Sequence, residues 1–254
     1  MRISDLTRVP LAVSLVLAAA SSAALPASQA PAAVVRHVTD SAASTVGAAS
    51  VVAGRQYAFS SVVAGKPVRW NPCAPIHWRV SKGAAPAGGF RVLRHAVDTV
   101  AAATGTTWVY DGLSTRTPGT SALPREASQS APVLLGWSDG SRSDLLAGKP
   151  WSTLGITRTT WFGVRSGTTA VAATRGAVVA LDRRHRLPLH GAVSWDAVVL
   201  HELGHVMGLA HAPDTRQLMA ARLSGSSSGR LAAGDRTGLA LLGRGQGCVS
   251  LPIG

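Results

Sequence analysis

The stretch "HELGHVMGLAH" at 201–211 gathers three histidines and one of the chain's two glutamates. On a helix, His201 and His205 are four residues apart and project from one face, about one turn from each other. Two imidazoles at that separation can hold one Zn2+ at about 2.0–2.1 Å each. Gly208 stands three residues after His205. A helix must end there, and glycine tolerates the positive φ that turning back requires. The turn brings His211 to a third coordination position. Three protein ligands leave the fourth open for water, which marks a catalytic rather than a structural zinc. Glu202 sits beside the first ligand and is not itself a ligand. A carboxylate there can take a proton from a zinc-bound water, whose pKa the metal lowers toward neutrality, and return it to a leaving amine. The chemistry is hydrolysis of an amide. A single histidine on an apolar helix is ordinarily a hydrogen-bonded core residue. Five specified positions together are different, arising from this composition by chance on the order of 1 in 10^5 times.

The elements that must position these residues can be read around them. "SWDAVVLHELGHVMG" at 194–208 is a helix that starts on a Ser cap and ends at Gly208. "IHWRV" at 76–80 alternates as a strand, and "GFRVLRHAVDTVAAATG" after it repeats Phe90, Leu93, Val97 and Val100 at helical spacing until Gly105. "TTWVYDG" at 106–112, "APVLLGW" at 131–137 and "GAVVALD" at 176–182 read as strands, with a weaker one at 159–164 inside a Gly-, Ser- and Thr-rich stretch. "AAGDRTGLALLG" at 232–243 is a final short helix. This order predicts a mixed sheet covered by two long helices.

The setting is an exported one. Met1, Arg2 and Arg8 precede the apolar "LAVSLVLAAASSAAL" at 11–25 and small residues to Ala30, the layout of a secretory signal peptide over 1–30. Residues 31–55 are small and polar without a sustained helical or strand period, and are expected to be a linker or short pro-segment. The folded domain is expected over 56–254. No later stretch approaches the roughly 20 apolar residues of a transmembrane helix, so no membrane contact is expected of the mature form. Cys73 and Cys248 in an exported chain invite a disulfide joining the start of the domain to its end, the alternative being two buried thiols.

The formal charge of +13 raises the question of a polyanionic partner. Arginines are scattered, only "DRRHR" at 182–186 clusters, and lysines are confined to Lys66, Lys82 and Lys149. Arg over Lys with much Ala and Gly is what a GC-rich genome produces, and the aromatic-rich basic surface of a nucleic-acid binder is missing. Nucleic acid is not expected as a partner. Loose adhesion to an anionic cell wall remains open.

The pattern H-E-x-x-H-x-x-G-x-x-H is the zinc signature of the metzincin metallopeptidases, and the chain resembles their matrixin branch. Met219, in "RQLMAARL", lies eight residues past His211, the matrixin interval for a methionine turn beneath the metal. Asp235, in the final helix, resembles the acidic residue that supports the active-site helix. The resemblance implies an α+β zincin fold, with a mixed twisted sheet, two long helices and a short C-terminal helix. It implies one catalytic Zn2+, a protein or peptide substrate, a monomer, and a substrate strand laid along a sheet edge from within 150–175. Ala220 and Ala221 stand where Tyr and Pro are usual. No His-and-Asp pattern for a structural zinc is recognisable, with His185 and His190 as the remaining candidates and nothing in the sequence supporting Ca2+. His77 and His95 have no partner pattern. "NPCAP" at 71–75 does not match the cysteine-switch motif. The expected activity is a secreted zinc endopeptidase with Glu202 activating the water. The rivals are a zinc amidase acting on cell-wall peptides and a non-catalytic zinc-containing binding protein.

Overall fold

A computed structural model describes residues 33–42, 56–166 and 169–251. The expected signal peptide lies outside them. In chain order the elements are strand β1 (Ala33–Ala42), β2 (Ala58–Phe59), β3 (Val62–Val63), β4 (Lys66–Pro67), β5 (Ile76–Ser81), helix α1 (Gly89–Thr104), β6 (Trp108–Ser114), β7 (Val133–Ser138), β8 (Gly155–Ser166), β9 (Thr169–Asp182), α2 (Trp195–Met207), β10 (Leu209–Ala210) and α3 (Ala233–Leu242). The main sheet has the order β1-β8-β9-β7-β5-β6. Strands β6, β5, β7 and β9 run parallel, while β8 is antiparallel to β9 and β1 antiparallel to β8. The fold is α+β with a mixed sheet, as expected for a zincin.

Alternation along the parallel strands decides which face meets the helices. Trp78 and Val80 of β5, Val133, Leu135 and Trp137 of β7, and Val179 and Leu181 of β9 share one core with Val92, Leu93, Ala96, Val97 and Val100 of α1 and with α2. The intervening residues Leu134, Val178 and Ala180, with Ile156 of β8, form a second cluster on the opposite face, covered by Leu123 from the connection between β6 and β7 and by Leu145 and Leu146 from that between β7 and β8. Burying each such side chain contributes about 1.5–3 kcal/mol, so β7 and β9 are held from both sides. Phe90, expected on the buried face of α1, is instead 39% exposed and rests on Trp78 and Tyr110 at the helix's outer start. Gly105 ends α1 in the left-handed region, as its position predicted.

Two strands exceed what the residue pattern suggested. The weak strand at 159–164 is the middle of β8, and β9 begins seven residues ahead of "GAVVALD". Their hidden length has a physical cause: Thr157, Thr159 and Thr160 of β8 are buried, so polarity does not track exposure there. The second departure is β1. It falls inside the stretch read as having no strand period, and pairs with β8 over ten residues. Cys73 and Cys248 form a disulfide across a separation of 175 residues.

Candidate active site

Helix α2 carries the site and is buried throughout except at Asp196 in its first turn. Its first free N–H groups are met by Ser194, whose hydroxyl accepts from the Ala197 amide at 3.2 Å. It ends at Gly208, which lies at φ 117, where a Cβ would come within 2.8 Å of the Val68 carbonyl oxygen. Glycine is required here both by the backbone angle and by the close approach. Trp70 supports the same end, its indole N–H donating to the Val206 carbonyl at 2.8 Å.

Beyond Gly208 the chain pairs through β10 with β2 and returns with His211. His201, His205 and His211 each offer a ring nitrogen, and those atoms all lie within 4.8 Å of one another. The Nδ1 of His201 meets the Leu218 carbonyl at 2.7 Å, and that of His205 the Leu209 carbonyl at 2.7 Å. A carbonyl oxygen only accepts, so each Nδ1 carries the proton and each Nε2 is left with its lone pair. Yet the Nε2 of His205 stands 3.1 Å from that of His201 and 3.2 Å from that of His211. The lone pairs of His201 and His205 cannot hydrogen-bond each other. A shared cation relieves that repulsion, and separations of about 3.3 Å are what tetrahedral nitrogen ligands around zinc require. The donor set fits the metal. Burial, reinforced by the charge of His211, drops His201 to a pKa of about 4; burial also lowers His205 and His211, so neutral, ligating imidazole persists below the usual histidine range.

Glu202 is fully buried between α2 and β8. Its Oε2 accepts a hydrogen bond from the Thr157 hydroxyl at 2.6 Å, while Oε1 has no protein partner. A Cβ on Gly155 would lie 2.9 Å from Oε1, so β8 leaves room for the carboxylate only because that residue is glycine. Burial pushes the Glu202 pKa up to about 8, against the Thr157 hydrogen bond that lowers it.

Below the histidines, Met219 is buried against Gly204 of α2, and its carbonyl accepts from the Ala212 amide at 2.7 Å. Asp235 is buried and accepts from the Leu218 amide at 2.8 Å, the Met219 amide at 3.2 Å and the Ala232 amide at 2.8 Å. It therefore holds the turn bearing Met219, and with it the Leu218 carbonyl that meets His201.

The remaining candidates do not gather. His185 bonds the Thr153 carbonyl at 3.1 Å, whereas His190 faces Asp196 at 3.5 Å, so they form no second metal centre. His95 also bonds Asp196, and His77 bonds Asp111, each at 2.8 Å. Among the described residues one triad alone meets the geometry of a metal site. Cys73 is committed to its disulfide. Sequence reasoning missed Gly155 and Thr157, which belong to no motif, and Gly204. The last carried a signal, since a glycine inside a helix costs about 1 kcal/mol relative to alanine and implies a close approach.

The family model for matrixin matches residues 92–242, from within α1 to the last residue of α3. The chain belongs to the matrixin family. Its family chemistry is that of zinc metallopeptidases, which are hydrolases. Among solved structures, this matrixin is similar to metalloproteinase-II from Bacteroides fragilis, at 14% identity and a TM-score of 0.37 over 70% of this chain and 56% of that one. The matrixin thus spans little more than half of that structure's length. No curated protein matches it.

Proposed function

We propose that the chain is an exported zinc endopeptidase in which Glu202 is the general base. One observation carries this reading: beside the three-histidine cluster stands a buried carboxylate with one oxygen held by Thr157 and the other unpartnered. His201, His205 and His211 would hold the zinc, which supplies Lewis-acid polarisation of the scissile carbonyl and a lowered pKa for the attacking water. Oε1 of Glu202 takes the proton as the water oxygen bonds to the carbonyl carbon. The same carboxyl then gives that proton to the amide nitrogen as the C–N bond breaks. Thr157 keeps Oε2 fixed, leaving Oε1 as the oxygen that exchanges protons. Asp235 and the Leu218 and Leu209 carbonyls keep the imidazoles oriented, a task on which metal affinity ordinarily depends 10- to 100-fold. Export is supported by the disulfide, which persists in oxidising compartments. No helix among the described residues is long and apolar enough to cross a membrane.

The test measures zinc content and peptide cleavage for the parent, Glu202→Gln and His205→Ala. The parent should hold one zinc and cleave. Glu202→Gln should keep the metal and lose about 10^4-fold or more in rate, because the same group both takes and returns the proton. His205→Ala should lose metal and activity together. An active Glu202→Gln protein overturns the mechanism. A zinc-loaded parent that cleaves no peptide moves the reading to a binding module, and cleavage confined to cell-wall peptides moves it to an amidase.

A further inference from the structure

Trp151 is 63% exposed, more than any other large apolar side chain among the described residues. Exposure by itself needs no explanation, but this indole is also held in place. Its ring meets that of His185 at 4.7 Å between centroids, and the guanidinium carbon of Arg184 stands 5.3 Å from the indole centroid. Both neighbours are themselves fixed. His185 donates from Nε2 to the Thr153 carbonyl at 3.1 Å, and the Nε of Arg184 reaches both oxygens of buried Asp182 at 2.9 Å. Trp151 itself sits in a turn closed by the Thr153 amide, which donates to the Pro150 carbonyl at 3.0 Å. Little side-chain freedom is left to lose when a ligand covers the ring.

Charge accompanies the ring. Lys149 stands two residues before Trp151, and Arg183, Arg184 and Arg186 flank His185 in the chain. Arg183 is paired with Asp139 and Arg184 with Asp182, whereas Lys149 and Arg186 are exposed and have no acidic partner among the described residues. Two uncompensated cations thus border the indole. Its place in the chain ties it to the reaction. Trp151 lies four residues ahead of Gly155, on which the Glu202 carboxylate rests, so no more than about 14 Å of backbone separates the two. The Leu154 carbonyl accepts from the Asp182 amide at 2.9 Å, which joins this segment to the start of the basic run. Of the stretch 150–175, expected to offer substrate an edge, β1 takes 156–165, and the part ahead of Ile156 lies outside that pairing. An extended peptide advances about 3.3 Å per residue. One whose scissile bond stands at Glu202, and which continues along this segment, brings its third or fourth residue from that bond to Trp151.

We infer that Trp151, Lys149 and Arg186 form a specificity surface for an acidic residue of the substrate, three or four positions from the bond that is cut. The indole covers the apolar stem of that residue, and the two cations meet its carboxylate. This deepens the peptidase reading above and rests on it. The contact is the same in the bound peptide and in the transition state. It therefore lowers KM and leaves kcat alone.

The test uses peptide pairs that differ only in Glu against Lys at the third or fourth position on either side of the cleaved bond. They are given to the zinc-loaded parent and to Lys149→Glu combined with Arg186→Glu. On one side of the bond the parent should cleave the Glu peptide with a KM about 3- to 10-fold lower than its Lys partner. The double reversal should invert that order. Because the ratio is taken within each protein, a general loss of activity cancels. The preference should fade at about 1 M salt, where the Debye length is only about 3 Å. Trp151→Ala should raise KM at least about threefold for the Glu peptide. Equal KM values for Glu and Lys peptides in the parent, a preference that survives the charge reversal, or a KM untouched by Trp151→Ala overturns the inference. If the parent cleaves no peptide, the peptidase reading fails instead. Equilibrium binding of the same pairs, fluorescently labelled, then decides: an order of affinity that inverts with the charges supports the surface, and equal affinities overturn it.

Discussion

Gly204 and Met219 are packed so closely that a Cβ added to the glycine would overlap the methionine sulfur and lie 3.0 Å from its Cε methyl. Met219 is buried and cannot swing away. Gly204→Ala gains helix propensity of about 1 kcal/mol but overpacks the core at a cost of about 1–3 kcal/mol. It should also push the Met219 turn, and with it the Leu218 carbonyl, away from His201. The expected result is lower stability in denaturant and weaker zinc binding by chelator competition. Adding Met219→Ala should recover part of both losses. Strict additivity of the two substitutions would show that the contact is not what excludes a side chain at Gly204.

Asp235→Asn tests the other support of the same turn. Both carboxylate oxygens accept backbone N–H groups, so an asparagine must aim its NH2 at a donor already there. The loss should be about 1–3 kcal/mol of stability, together with zinc affinity lowered roughly 10- to 100-fold. Unchanged zinc affinity in a destabilised variant would separate Asp235 from the metal ligands.

Zinc affinity should hold to lower pH than free imidazoles would allow. Protons compete with zinc only when the ligands can be protonated, and burial lowers all three histidines, His201 to about 4. Affinity should stay nearly flat from pH 7 to about pH 5.5, where ligands near pH 6.5 would already be failing. A tenfold loss between pH 7 and 6, measured by competition with a chromophoric chelator, would contradict the buried, neutral triad.

The metal-free chain should become less stable as pH rises above neutrality. The folded-state pKa of Glu202 is raised to about 8 by burial, so the folded form binds a proton that the unfolded form releases at an ordinary carboxylate pKa. Stability from that proton is complete below the unfolded pKa and is lost as pH climbs through about 8. His201 acts in the opposite sense, since its lowered pKa costs stability only as pH falls from 6.5 toward about 4. Between pH 6.5 and 8 the lowered histidines add no slope, and that of Glu202 remains. Glu202→Gln should flatten it and leave the metal-free variant more stable than the parent at pH 8, by a few kcal/mol at most. Parallel denaturation curves for the two proteins across that range would show that the carboxylate is not protonated there.

The site was far easier to read in the residues than the sheet was. A ligand set written into one helix and its following turn is local, so the spacing of His201, His205, Gly208 and His211 carries most of its geometry. The ends of α2 were equally local, being set by Ser194 and Gly208. Strands β8 and β9 were legible only in part, because buried threonines interrupt the alternation that marks a half-buried strand. The placing of β1 depends on main-chain pairing, which small and polar residues permit without announcing. Thr157 and Gly155 matter through contacts with Glu202, 45 and 47 positions away in the chain, and nothing near them in sequence hints at it.

The bond between Cys73 and Cys248 joins the two ends of nearly the whole folded region. A peptide bond cut anywhere between those cysteines would open a ring without releasing a piece. For a hydrolase of peptide bonds that is self-protection: a surface loop nicked once by a neighbouring copy would leave one covalent molecule, its histidines still gathered. Such damage would run as a single band on a non-reducing gel and break into fragments once a thiol was added.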